Sequence, residues 1–168
     1  FKLPEANLIL PLLQQVFPHA RYVHFHRDPL QTVFRRTHMT ARTDNHIGRT
    51  SLIAAYDHFD RDRTLILSDS PTVRMAITTR HQNDLIAQHR ACIAPEDWIE
   101  IPFEETVHSP LQALTRFAGF AGLPNLTTRI TETVDVNRSN SDMSQFSRQE
   151  VDHVVNILGL ESSKLSSI

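Results

Sequence analysis

The apolar positions along the chain alternate between helical and strand-like spacing. Leu8, Leu12 and Val16, with Ile9, Leu13 and Phe17, repeat every four residues and predict an amphipathic helix with Pro11 in its first full turn. Arg21 to His26 is rich in aromatic and β-branched residues, lies between a Pro-containing turn and Asp28-Pro29, and reads as a buried, central strand. Asp28 as N-cap and Pro29 as first helical residue start the next helix at once, with Leu30, Val33, Phe34 and Thr37 on one face. Thr40 to Thr50 is polar and reads as a loop, and Ser51 to Phe59 returns to helix through Leu52, Ile53, Tyr56 and Phe59. Ser70-Pro71 opens a long helix to about Ala91 that uses Val73, Ala76, Ile77, Leu85 and Ile86.

The second half follows the same grammar. Trp98 to Phe103 is a strand, with Pro102 at an edge or at its last residue. Ser109-Pro110-Leu111-Gln112 forms a capping box for a helix that buries Leu111, Leu114, Phe117 and Ala118 and stops at Gly122. Asn125 to Phe146 is a polar loop. Ser147 to Glu150 is a further capping box, for a last helix carrying Val151, Val154, Val155 and Leu158 up to Gly159, before a frayed Ser-rich tail. Strand, tight turn and helix around Arg27-Asp28-Pro29 is the junction that matters most. In open α/β sheets ligands bind at the carboxyl ends of strands, where a helix N-terminus presents N–H groups to an anion, and Arg27 adds a fixed positive charge.

Composition narrows the function classes. The 168 residues suit one domain, residues 1–160 with a tail at 161–168, and 40% apolar with 21% charged residues is an ordinary globular balance. A formal net charge of −2 gives no general basic field for nucleic acid or an acidic membrane, so local clusters must do any anion binding. Cys92 is alone, which excludes an intrachain disulfide or a cysteine zinc cluster, reads as a buried thiol and fits a reducing, cytoplasmic setting. No apolar run approaches the roughly 20 residues that cross a bilayer. The chain begins at Phe1, with no initiating Met, and its glycines, Gly48, Gly119, Gly122 and Gly159, form no Gly-x-x-x-x-Gly-Lys phosphate loop; beside the resemblance to a family that carries such a loop, described below, it reads as the C-terminal part of a longer protein.

Three chemical look-alikes fail on spacing. His26-Arg27-Asp28 copies the protein-kinase catalytic triplet, but Val33 stands where that motif needs Asn, and no Asp-Phe-Gly follows. His24 and His26 share a strand face without a third ligand to complete a metal set. Glu104 and Glu105, read as strand neighbours, point to opposite faces and would not share a site unless the turn brings them together.

Two blocks carry a family resemblance. Lys2-Leu3-Pro4, then Phe17-Pro18-His19-Ala20-Arg21, the strand Tyr22 to Phe25 and Arg27-Asp28-Pro29 form the first; Phe103-Glu104-Glu105-Thr106, Pro110 and Phe120-Ala121-Gly122-Leu123-Pro124 form the second. In order and spacing the chain resembles the sulfotransferases that use 3′-phosphoadenosine 5′-phosphosulfate as sulfuryl donor. The resemblance covers residues 2 to 40 and 98 to 124.

It implies a three-layer α/β/α domain of the P-loop nucleotide-binding type with a mainly parallel sheet, and transfer of a sulfuryl group to a hydroxyl or amine. The acceptor would be a small molecule, a glycan or a peptide, with no metal and no nucleic acid. Arg27 would bind the 3′-phosphate of the donor. Where the family usually places a second Ser ligand, eight residues later, this chain has Arg35, whose planar fork of donors also suits a phosphate. Arg138 falls in a loop where the family sets basic residues over the nucleotide, and Lys2 matches the lysine near the transferred group. The base is a His soon after that lysine in some branches, where this chain has Pro4, and a Glu or Asp further upstream, outside this chain, in others, so no base is assigned. The alternative implied is a non-catalytic relative, a binding or scaffolding domain on the same fold.

Overall fold

The computed structural model describes residues 6–40, 46–123 and 144–160. In chain order the elements are helix α1 (Ala6–Val16), strand β1 (Tyr22–His26), helices α2 (Pro29–Thr40), α3 (His46–His58), α4 (Leu65–Ser68) and α5 (Pro71–Arg90), strand β2 (Trp98–Pro102), and helices α6 (Phe103–His108), α7 (Pro110–Ala121) and α8 (Arg148–Leu158). The fold is α/β, mostly helical, and the two strands form a parallel pair. The chain divides into two compact units, one with α2, α3, α4 and α8 and most of α5, the other with both strands, α6 and α7.

In the helical unit, α2 starts as the sequence predicts: Asp28 Oδ1 accepts the Gln31 N–H at 2.9 Å, and Pro29 brings a φ already suited to a helix. Its apolar face goes fully into the core, with Leu30, Val33 and Phe34 packed against Ala76 of α5 and Val154 and Val155 of α8. A second cluster joins Leu52, Ala55 and Tyr56 of α3 to Ile77 of α5. The Tyr56 hydroxyl, carried into that cluster, donates to Asp69 Oδ2 at 2.5 Å, and Arg61 Nη2 donates to the same oxygen at 3.0 Å. Burial and the Asp69 carboxylate both push the phenol's pKa up, so it stays protonated. The last helix has its expected reciprocal cap: Ser147 Oγ accepts the Glu150 N–H at 3.2 Å and Glu150 Oε2 accepts the Ser147 N–H at 2.9 Å. It ends on Gly159 at φ 67°, a left-handed position that suits glycine.

In the strand unit, β1 and β2 pair in register: Tyr22 with Trp98, His24 with Glu100 and His26 with Pro102. Ile101 is fully buried on β2, and Val107, Ala113 and Ala118 bring α6 and α7 into the core. Pro102 is the last strand residue, where its missing N–H costs the ladder least. Gly122 closes α7 at φ 66°.

Several expectations are corrected. Strand β1 is half-buried rather than buried, and Phe25 is 60% exposed. On α1 the buried residues are Asn7 and Leu10, while Ile9, Leu12 and Val16 are exposed, so the periodicity gave the helix but not the face it buries. Helix α3 begins at His46, inside the stretch read as a loop. A glycine costs a helix only about 1 kcal/mol relative to alanine, which the buried later turns of α3 offset. On α7, Leu111 is exposed and Ser109 makes no side-chain cap. Ser109 also ends α6, giving its N–H to Glu105 O at 2.8 Å, and its φ of −139° and ψ of 57° are not those of an N-cap. Cys92 is exposed, because it falls in the turn after α5 where Ile93 takes the buried place. The loop reading of Asn125 to Phe146 lies mostly outside the described residues. No helix among them is long and apolar enough to cross a membrane.

Candidate functional site

Parallel pairing in register brings the two motif blocks to one edge. Because His26 sits opposite Pro102, the next residues, Arg27 and Phe103, emerge side by side at the carboxyl ends of their strands. The Arg27 guanidinium lies over the Phe103 ring, 4.9 Å from its centroid, and Arg27 Nε is 3.9 Å from Glu104 Oε1. Only 11% of the Arg27 side chain is exposed, against 41% for Glu104. A cation held this far from water interacts strongly with whatever charge reaches it. Its fork of N–H donors matches the oxygens of a phosphate or sulfate.

Glu104 and Glu105 are not strand residues but occupy the first turn of α6. Successive helical positions diverge by about 100°, so the two carboxylates still separate, for a reason other than strand alternation. Glu105 pairs with Arg116 Nη1, and Arg116 Nη2 donates to Glu100 O at 2.9 Å. Arg21, given no role by the sequence reading, donates from Nη1 to Phe120 O at 2.6 Å and lies 5.7 Å from the Phe120 ring centroid. Arginines of the first block thus meet aromatic residues of the second at both ends of β1. The signal available in the sequence was the joint presence of the two blocks.

One face of the strand pair carries a ring cluster. His24 lies 5.6 Å from Trp98 and 5.2 Å from His26, centroid to centroid, and its Nδ1 is 3.8 Å from Glu100 Oε1. Trp98 Nε1 donates to that same oxygen at 3.2 Å. Burial, helped by the nearby His26, lowers the His24 pKa, with Glu100 opposing. Among the described residues, no three His, Cys, Asp or Glu side chains are grouped to hold a metal.

At the start of α2, two of the first three amides are committed: Pro29 has no N–H and Gln31 gives its own to Asp28. Arg35 is exposed on α2, and its neighbour Arg36 donates from Nη1 to Gln82 Oε1 at 2.9 Å. Lys2 and Arg138 lie outside the described residues. An open hollow of about 560 Å³ by Ser109, Leu111 and Gln112 has Arg116 as its charged lining residue, already engaged by Glu105. It is a poor candidate beside the Arg27 edge.

Comparison with known proteins bears on the family and the fold. The model of the sulfotransferase family matches residues 2–128. No curated protein matches the chain. Among solved structures, the sulfotransferase domain from the curacin biosynthetic pathway superposes with a TM-score of 0.59 at 14% identity, over 95% of this chain and 62% of that one. At that identity the likeness speaks for the fold. With a family match over most of its length and the two motif blocks joined at one sheet edge, the chain belongs to the sulfotransferase family.

Proposed function

We propose that the chain serves sulfuryl transfer from 3′-phosphoadenosine 5′-phosphosulfate to a hydroxyl or amine, with Arg27 recognising the donor's 3′-phosphate. The observation that carries this reading is the place of Arg27: a largely buried guanidinium at the carboxyl edge of the parallel pair, within the residues that the family model matches. Sulfuryl transfer, like phosphoryl transfer, moves a group in line between two oxygens, and catalysis is mostly positioning and charge stabilisation. Arg27 contributes to the first. By fixing the far end of the nucleotide it sets where the sulfuryl group sits. Lys2, Arg35 and Arg138 enter through the family resemblance, Lys2 beside the transferred group and the two arginines on the nucleotide.

Calorimetry with adenosine 3′,5′-bisphosphate, the desulfated product, and with ADP tests the reading. Both ligands carry two phosphates, but only the first has one on the 3′ position. A charge-assisted contact of about 1.5 to 3 kcal/mol to that phosphate predicts a roughly 10- to 150-fold preference for the bisphosphate. Equal affinities, or no binding of either, would overturn it.

A further inference from the structure

We infer that Phe103 is a positioning residue for Arg27: its ring is the shelf that holds the guanidinium in the plane from which it meets an anion. This rests on the reading of Arg27 as the phosphate ligand. A flexible arginine binds phosphate through two parallel N–H donors only when its planar head is correctly turned, so what fixes that plane sets affinity. Three observations give Phe103 this task. Register pairing delivers it beside Arg27 whatever the loops do. Its ring lies 4.9 Å from the guanidinium carbon, inside the roughly 6 Å range of a cation–π contact. Arg27 is only 11% exposed, which strengthens that contact because water competes little.

The backbone supports the same conclusion. Pro102 precedes Phe103 in extended conformation, at φ −61° and ψ 137°, and Phe103 is the first residue of α6, so the ring has an anchored start. Glu104, 3.9 Å from Arg27 Nε, adds attraction on one side of the guanidinium without the short distance of a hydrogen bond. Phe103 thus governs the plane and Glu104 biases the head within it.

The test is a mutant cycle read by calorimetric titration with adenosine 3′,5′-bisphosphate, with a thermal melt on every variant. Phe103→Leu removes the π face, Phe103→Met does so with a longer, unbranched and more adaptable side chain should the leucine variant not fold, and Phe103→Tyr keeps the face. The leucine or methionine variant should weaken binding about 3- to 30-fold, the tyrosine variant should bind like the parent, and neither truncation should change affinity further in an Arg27→Ala background. Parent-like binding by the Leu or Met variant, or the same loss with Arg27 absent, would overturn the positioning role while leaving Arg27 as ligand. An Arg27→Ala protein that binds as tightly as the parent would overturn the functional reading, and this inference with it.

Discussion

Arg27 keeps its charge where a lone charge would be costly, and the aromatic face beneath it and the carboxylate beside it explain how. His24 shows the opposite solution on the same strand. Burial and the neighbouring His26 favour its neutral form, and Glu100 only partly offsets them. An unfolded histidine titrates near pH 6.5, so between that value and the lower folded value the unfolded chain binds more protons. Stability should therefore fall as pH drops below about 6.5 and level off once the folded pKa is passed. His81 in the helical unit, lowered by burial and by His58, adds a contribution of the same sign. Trp98 is the single tryptophan and lies 5.6 Å from His24, so its emission follows unfolding at the place concerned. Urea midpoints at about pH 7.5 and about pH 5.5 should draw closer together in His24→Gln than in the parent, and closer again when His81→Gln is added. An unchanged gap in both variants would show that neither histidine carries the effect.

At the scale of elements, caps were legible in the sequence where a residue has one task and illegible where it has two. Ser147 begins a helix and nothing else, and its box forms as the Ser-x-x-Glu spacing predicts. Ser109 carries the same kind of signature but also terminates α6, and that duty fixes its backbone away from capping geometry. Ser147→Ala should cost about 1 kcal/mol of stability, and Ser109→Ala should stay within about 0.5 kcal/mol, compared by urea denaturation. The reverse order would contradict the cap assignments. Faces were harder to read than elements. Leu30, Val33 and Phe34 point inward as their spacing says, whereas Ile9, Leu12 and Val16 of α1 are exposed, because periodicity reports that a helix has a side and not which neighbour covers it. Polar composition likewise hid the first turn of α3.

At the scale of the whole molecule, the family was legible because its two blocks kept their order. Their meeting was not. The chain leaves the strand unit after Arg27, builds α2 to α5 and returns for β2, the long crossover that a parallel pair requires. Nothing local in Arg27-Asp28-Pro29 or Phe103-Glu104-Glu105 announces the register that sets one against the other; hydrogen bonding between the strands does. We propose that this register builds a 3′-phosphate site around Arg27. Phosphorus NMR of adenosine 3′,5′-bisphosphate tests it most directly, since the two phosphates give separate resonances. Titrating the protein should shift and broaden the 3′ signal, and Arg27→Ala should need roughly 10- to 150-fold more protein for the same response. A 3′ resonance that responds equally to the parent and to Arg27→Ala would show that Arg27 is not the 3′-phosphate ligand.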